Sequence, residues 1–283
     1  MMTERLFMSE RLQLMEVVQQ EAVCPGVYHM TLHVPKRFPA QPGQFFHLRC
    51  SDTVFPLLRR PISLFDYDET SGLLHLLYRV DGEGTQWLSR RVPGDKVDVL
   101  GPLGQGFPEP PAPSLCTLIG GGIGIPPLYY LAKRLAAGGH RLRIVLGFAS
   151  ARFSFYVEAF RRLGEVMVTT EDGSLGIRGR VTDGLAQWAD TSPATGTLEV
   201  YYACGPLPML KAVKAHYREW ASRQRQNGFR PSVRGYLSLE ERMGCGIGAC
   251  LACVVPAAGA SDGRNYRKIC VDGPVFEADE IEL

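Results

Sequence analysis

Four cysteines crowded into the last forty or so residues constrain this chain more than any other feature. Cys245, Cys250 and Cys253 follow one another as CxxxxCxxC within SLEERMGCGIGACLACVV, and sixteen residues separate Cys253 from Cys270 in RNYRKICVDGPVF. The remaining four of the 8 cysteines, Cys24, Cys50, Cys116 and Cys204, are scattered. In a reducing compartment a disulfide framework is disfavoured, so a local cluster of this kind reads as a metal or iron–sulfur site. The CxxxxCxxC spacing suits a [2Fe–2S] loop, in which four residues wrap the cluster and glycines such as Gly246 and Gly248 let backbone amides approach the sulfurs. Four thiolates can also hold zinc in a ribbon, but the order of the cysteines and the interleaved glycines favour iron–sulfur.

Bulk electrostatics exclude little but point away from two partners. The 283 residues carry 31 Lys+Arg against 29 Asp+Glu, a formal charge of +2, so no long-range field favours nucleic acid or an anionic membrane. An apolar fraction of 45% with 21% charged residues is that of a globular chain with a sizeable core. Its length suggests two domains with a small third. The start, MMTERLFMSERLQLMEVVQQ, lacks the basic opening, unbroken apolar core and small-residue cleavage site of a secretory signal, which predicts a cytoplasmic protein. The uncharged stretch 110–132 approaches the length of a membrane span. Its glycines and prolines, Gly120, Gly121, Gly122, Gly124, Pro126 and Pro127, suit a strand, a tight loop and a helix start instead.

The hydrophobic pattern divides the chain. Short alternating or β-branched runs (VYHMTLHV, QFFHLRC, LLHLLYRV, DKVDVLGP), punctuated by Gly and Pro, predict a small antiparallel barrel over residues 1–110. From about Leu115 apolar strands alternate with helical stretches (SLCTLIG then PPLYYLAKRLAAGG, LEVYYAC then PMLKAVKAHYREWASRQ), which predicts a parallel sheet with helices on both faces over 111–228. PEPPAP at 108–113 links the two, and 229–283 forms a compact cysteine-bearing unit.

Four further motifs point to bound nucleotides. In LLRRPISLFD, Arg60 beside the rigid Pro61, followed by Ser63, offers a fixed guanidinium and a hydroxyl at the end of a barrel strand. In LLYRVDGEGTQWL, a strand runs into Gly82, Gly84 and Thr85 before a short helix, where amides can accept a diphosphate. In LIGGGIGIPPLYYLAKRL, a strand leads through glycines into a helix started by proline, without matching GxGxxG in its usual register. In YYACGPLPMLKAV, a strand delivers Cys204 to the carboxyl edge of the sheet, where ligands bind in open α/β folds. Each has an ordinary structural counterpart: an exposed Arg pair, a glycine turn, strand–helix packing, a small buried cysteine. The 6 histidines make no metal-ligand pairing.

Taken in order, these pieces resemble the electron-transfer subunits of type B dihydroorotate dehydrogenases, within the ferredoxin-NADP reductase superfamily. The resemblance covers nearly the whole chain. It is carried by RPIS at 60–63, GEGT at 82–85, GPLGQGF at 101–107, GGGIGIPPL at 120–128, DGSLGIRGRVTD at 172–183, CGPLPML at 204–210 and the tail ending CVDGPVF. It implies an FAD-binding antiparallel β-barrel, a parallel-sheet NAD-binding domain and a small C-terminal [2Fe–2S] domain. By that resemblance Arg60 contacts the FAD phosphates, Ser63 lies near flavin N5, and Gly82, Gly84 and Thr85 cradle the diphosphate. Pro61, Ile62, Tyr78 and Val80 complete the flavin site. Gly121, Gly122, Gly124, Cys204, Gly205 and Pro206 border the nicotinamide, with Ser63 and Cys204 as the catalytic candidates. Cys245, Cys250, Cys253 and Cys270 ligate iron. The wider superfamily often has an aromatic residue at the Ile62 position to stack on the flavin, so stacking here is expected from elsewhere, such as Tyr78.

The resemblance also implies a partner: an FMN-containing catalytic subunit that oxidises dihydroorotate, in a heterotetramer with two catalytic subunits. Electrons would pass from that FMN through the cluster and FAD to NAD+, in the synthesis of UMP. Glu171 and Asp172, after the strand EVMVTT, could bond a ribose hydroxyl, whereas Arg152 could favour a 2′-phosphate. Two other readings stand beside this one. The chain could serve another flavin and iron–sulfur assembly, hydrogenase-linked or of transhydrogenase type, or be a zinc-stabilised nucleotide-binding module without redox function.

Overall fold

The computed structural model describes residues 11–111, 113–188, 198–259 and 265–283. The N-terminal residues 1–10, on which part of the reading of the chain's start rests, and Ala112 in the proline-rich stretch lie outside the described residues.

Six strands close an antiparallel barrel. They are β1 (Leu12–Cys24), β2 (Val27–His33), β3 (Phe45–Leu48), β4 (Arg60–Asp68), β5 (Leu73–Arg79) and β6 (Lys96–Leu103), in the order β1-β2-β5-β4-β3-β6. The period-two pattern explains the closure. Met30 and Leu32, Leu74 and Leu76, Val97 and Val99 all point inward and are fully buried. A short helix, α1 (Glu83–Leu88), sits between β5 and β6 and is anchored by the buried Leu88.

The second layer system is a seven-stranded sheet. Its elements are β7 (Leu115–Gly121), α2 (Pro127–Ala137), β8 (Arg141–Phe148), α3 (Val157–Arg161), β9 (Glu165–Thr170), β10 (Ile177–Arg178), α4 (Val181–Ala186), β11 (Leu198–Cys204), α5 (Leu207–Gln226) and β12 (Ser232–Ser238). Three short strands follow: β13 (Val254–Pro256), β14 (Tyr266–Lys268) and β15 (Val275–Glu277). The sheet order is β10-β9-β8-β7-β11-β12-β15, parallel except for the antiparallel edge strand β15. Every residue of β7 is buried, as expected of a central parallel strand covered on both faces. Leu128, Leu131 and Leu135 of α2 cover one face, and Leu210, Val213 and Tyr217 of α5 the other. The uncharged stretch is thus a strand, a 3₁₀ turn (Gly122–Gly124) and a helix, and among the described residues no helix is long and apolar enough to cross a membrane.

β12 and β15 follow residue 228, yet they extend this sheet, so the cysteine-bearing segment is built onto the α/β layer rather than tethered to it. Between them the chain leaves to form the hairpin β13–β14 and the cysteine loop. It returns against the barrel, where Phe45 and Leu103 pack with Met243, Val255 and Ile269.

The barrel and sheet are joined by aromatic and polar contacts. Phe65 stacks on Tyr129 with ring centroids 4.7 Å apart, and Lys133 pairs with Asp66 at 2.6 Å. Beside them the Tyr156 hydroxyl lies 2.8 Å from His29 Nδ1, and His29 Nε2 lies 3.0 Å from His75 Nδ1. Burial, then the neighbouring His75, push the pKa of His29 down to about 4, although Glu21 stands 3.7 Å away. Unfolded, the same histidine protonates near 6.5. The unfolded chain therefore binds more protons between those values, so stability is full above about pH 6.5 and is lost as pH falls toward 4. We expect the thermal midpoint to drop between pH 7 and pH 5, and His29→Gln to flatten that drop. An unchanged pH profile in the variant would show that the interface histidine does not contribute.

Candidate functional site

Two clefts and one loop gather the residues singled out in the sequence. The first cleft opens where β4 and β5 leave the barrel, and is lined by Arg60, Pro61, Ile62, Ser63, Tyr78 and Thr85 on the barrel side. The two adjacent arginines divide the work. Arg59 is consumed within the fold, its guanidinium donating to both carboxylate oxygens of Asp98 at 3.0 Å and to the His47 carbonyl at 3.2 Å. Among the described residues Arg60 bonds only neighbouring carbonyls, Leu58 O at 2.5 Å and Arg59 O at 3.4 Å, and faces the cleft.

The loop before α1 is shaped around that guanidinium. A Cβ on Gly84 would lie 2.7 Å from Arg60 Nε, so any side chain there displaces the arginine. Gly82 holds φ at 94°, which favours glycine. The Asp81 amide donates to Thr85 Oγ1 at 2.8 Å, and that hydroxyl donates to the Gly82 carbonyl at 3.1 Å, tightening the loop. A fixed guanidinium beside a glycine-walled loop fits a diphosphate, and adjoining ring-sized space bounded by Ser63 and Tyr78 fits a flavin. Tyr78 is 2% exposed, its hydroxyl donates to Gln20 Oε1 at 2.9 Å, and it packs in the barrel core with Ile62. Val80 packs against the same core.

The far wall of this cleft comes from elsewhere in the chain. Ile123 belongs to the 3₁₀ turn after β7, Glu240 follows β12, and Met243 and Ile269 flank the cysteine loop. The Glu240 carboxyl opens into the cleft but is ringed by protein, which raises its pKa against the opposing pull of Arg79. Sequence reasoning missed Glu240, Met243 and Ile269. Only their adjacency to the cysteines could have flagged them.

The second cleft lies at the carboxyl ends of β7 and β11. The chain runs outward from β7 through β8, β9 and β10 and then returns to β11 on the other side of β7, which makes this the topological switch point. Gly121, Gly122 and Pro206 line it, with Thr169, Glu171, Arg180 and Met209. Gly124 has a packing role, since a Cβ there would collide with the Cys204 carbonyl and the Gly205 amide nitrogen. Cys204 is 1% exposed, and burial pushes its thiol pKa far up, so it is a neutral thiol beneath the turn. Asp172 is engaged by Ser174, whose amide and hydroxyl donate to it at 2.9 and 2.6 Å, leaving Glu171 as the acid facing the cleft.

The four C-terminal cysteines lie along one loop region as two pairs, and backbone amides point at the sulfurs of Cys245, Cys250 and Cys270. Ile247 and Cys250 donate to Cys245 Sγ at 3.4 and 3.3 Å, Cys245 donates to Cys250 Sγ at 3.3 Å, and Gly248 donates to Cys270 Sγ at 3.1 Å. Burial raises the pKa of Cys245, but the amides of Cys250 and Ile247 outweigh it and bring the thiol to about 7. Cys270 is pushed up to about 12 by burial and by the adjacent Cys253. The sulfurs thus associate as Cys245 with Cys250 and Cys253 with Cys270. Among the described residues, no three His, Cys, Asp or Glu side chains gather closely enough to hold a single ion. Two thiol pairs in an amide-rich loop fit a two-iron cluster better than one tetrahedral zinc.

Comparison with known proteins agrees with this geometry. A family model described as the iron–sulfur cluster binding domain of dihydroorotate dehydrogenase B matches residues 240–282. The chain is 46% identical over 274 residues to the dihydroorotate dehydrogenase B (NAD(+)) electron transfer subunit of Geobacillus thermodenitrificans, covering 95% of this chain and 98% of that one. It is 45% identical over 271 residues to the protein of the same description from Listeria monocytogenes, with the same coverage of 95% and 98%. Among solved structures it is similar to the NADH-dependent reduced ferredoxin-NADP oxidoreductase studied for flavin-based electron bifurcation, with TM-score 0.80 and 30% identity over 95% of this chain and 90% of that one. Phthalate dioxygenase reductase shares the fold alone, at TM-score 0.60 and 18% identity over 88% and 73% of the two chains.

The crowding at Gly84 gives a direct check. Gly84→Val should force Arg60 out of the cleft, and the purified variant should retain less than about a tenth of the flavin held by the wild type, with its thermal midpoint little changed once flavin is removed from both. Full flavin content in the variant would place the diphosphate elsewhere.

Proposed function

Because the chain belongs to the family of dihydroorotate dehydrogenase B electron transfer subunits, we propose that it relays electrons from a catalytic partner subunit, through a [2Fe–2S] cluster and FAD, to NAD+. One observation supports the relay above all. The barrel cleft has Ile123, one residue from the Gly121–Gly122 nucleotide turn, in one wall and Ile269, the neighbour of Cys270, in another. The flavin site therefore touches both the hydride site and the cluster site.

When bound, FAD exchanges electrons in pairs with nicotinamide and singly with the cluster. The chain supplies position and environment. Arg60 and the loop of Gly82, Gly84 and Thr85 would hold the diphosphate, and Pro61, Ile62, Tyr78 and Val80 would bound the flavin ring. Ser63 would offer a hydroxyl to the flavin ring, and Glu240, whose pKa its surroundings raise, stands at the same cleft. Gly121, Gly122 and Pro206 leave a flat approach for nicotinamide, while Gly124, Gly205 and the buried Cys204 set the floor of that turn. Glu171 faces the nucleotide cleft and suits a ribose hydroxyl, which favours NAD over NADP. Cys245, Cys250, Cys253 and Cys270 ligate the two irons.

In functional terms, 1–110 holds FAD, 111–228 holds NAD and 229–283 holds the cluster. The last of these is integrated through β12 and β15 into the nucleotide sheet. The partner is an FMN-bearing, dihydroorotate-oxidising subunit, in a heterotetramer with two catalytic subunits, and the assembly serves pyrimidine synthesis. Reconstitution with such a subunit tests the reading. Dihydroorotate should then drive NAD+ reduction, and Cys270→Ser should lower that rate at least about a hundredfold while NADH still reduces a two-electron dye through FAD. Undiminished dihydroorotate-dependent NAD+ reduction in Cys270→Ser would contradict the relay.

A further inference from the structure

The segment between β9 and α4, DGSLGIRGRVTD at 172–183, has no task in the relay, yet it is held more tightly than a surface connection requires. The Ser174 hydroxyl donates to Asp172 Oδ1 at 2.6 Å and accepts from the Ala151 amide at 2.7 Å, while Thr170 Oγ1 donates to the Leu175 carbonyl at 2.8 Å. The Gly179 amide donates to the Thr170 carbonyl at 2.9 Å, and the Arg180 amide donates to Asp183 Oδ2 at 2.7 Å. At Gly176, where φ is 69°, a Cβ would lie 2.1 Å from the Val168 carbonyl oxygen, so the loop folds directly back on β9.

What this framework presents is the side chain of Arg180, which lines the nucleotide cleft and has no carboxylate partner among the described residues. Arg152, which follows β8, lies instead over the Phe153 ring, 5.8 Å from its centroid. Among the described residues Glu171 is the one other charged group in the wall of the cleft, and the two form no ion pair. Opposite charges that share a cleft and stay apart suit a ligand that carries both an acidic group and hydroxyls. The place of Arg180 along the cleft follows from the sheet, in which β8 lies between β7 and β9. Its neighbour Val181 packs on the end of β8 so closely that a Cβ on Gly147 would lie 2.6 Å from the Val181 Cγ1. Arg180 therefore enters the cleft at the middle strand, between Gly121 and Gly122 at the end of β7 and Glu171 beyond β9.

We propose that Arg180 is the anion anchor of this cleft: its guanidinium grips the diphosphate of the pyridine dinucleotide, midway between the nicotinamide at Gly121 and Gly122 and the adenosine ribose at Glu171. The proposal rests on the reading of this cleft as the NAD site. A planar guanidinium bonds two phosphate oxygens at once, which orients the diphosphate as well as neutralising its charge. The arrangement also divides two roles within the site. The 2′-phosphate that distinguishes NADP would fall beside the Glu171 carboxylate and be repelled, whereas the diphosphate is common to both nucleotides. Arg180 therefore sets how tightly either nucleotide binds, and Glu171 sets which one.

The test is a calorimetric titration of the whole, oxidised, flavin-loaded protein with NAD+, NADP+ and ADP-ribose, none of which exchanges electrons with oxidised flavin. Arg180→Gln should weaken NAD+ and ADP-ribose, which share the diphosphate, by about tenfold or more, with flavin content and thermal midpoint unchanged. NADP+, the weaker ligand, should lose affinity by the same factor, and Arg180→Lys should recover part of each loss. Added salt should weaken NAD+ binding less in Arg180→Gln than in the wild type. Loss of NADP+ affinity alone would overturn the proposal by placing the arginine at a 2′-phosphate. Weakened NAD+ with undiminished ADP-ribose would overturn it by placing the arginine at the nicotinamide end, and unchanged affinities for all three would remove the anchor altogether. A wild type that binds none of the three would overturn instead the nucleotide reading on which the proposal rests.

Discussion

A short backbone seam between the exit of β6 and the entry of β15 holds the working parts of this molecule together. The Gln105 amide donates to the Gly273 carbonyl at 2.6 Å, and the Gln105 side chain donates to the Val271 carbonyl at 3.2 Å. On the other side the Leu239 amide donates to the Pro274 carbonyl at 2.9 Å. Gly104 packs so closely that a Cβ would meet the Gly273 oxygen at 2.5 Å. Residues more than 160 positions apart in sequence are thereby fixed to one another. Without the seam, the barrel wall with Arg60 and Ser63 and the wall with Met243 and Ile269 would not close on the same cleft.

That closure is what makes a relay of three binding sites. Barrel, nucleotide turn and cysteine loop each supply one wall, and each wall belongs to a rigid element: β4, the turn after β7, and the segment between β12 and β15. Placing the cluster-bearing segment within the nucleotide sheet removes the freedom that a tethered domain would have. Electron transfer between fixed sites needs no domain motion within the chain, only docking of the partner subunit.

Much of this was legible in the sequence, for identifiable reasons. The barrel strands announced themselves by alternation, β7 by a largely apolar run, and the cysteine loop by its spacing. Gly84 and Gly121 could be picked out because a glycine between strand and helix marks backbone that must approach something closely. The capture of β12 and β15 by the nucleotide sheet was not legible, because SVRGYLS and VFE carry no signal of which strand they pair with. Glu240 and His47 were invisible for a related reason. Burial, partly offset by Arg79, raises the pKa of Glu240, and Gly246 covers the ring of His47, and neither setting can be read from the local sequence. Gly124 and Cys204, expected beside the nicotinamide, pack against each other at the turn, a contact that the local sequence does not show.

The central claim is that one chain couples hydride exchange to one-electron transfer across the barrel cleft. An anaerobic NADH titration of the isolated protein, followed by visible absorbance and EPR with iron, sulfide and flavin quantified, tests it most directly. The account predicts flavin bands and broad iron–sulfur absorbance that both bleach with NADH, with the EPR signal of a reduced cluster growing alongside. Flavin that bleaches while the cluster stays oxidised, or a colourless zinc-bearing protein, would contradict it.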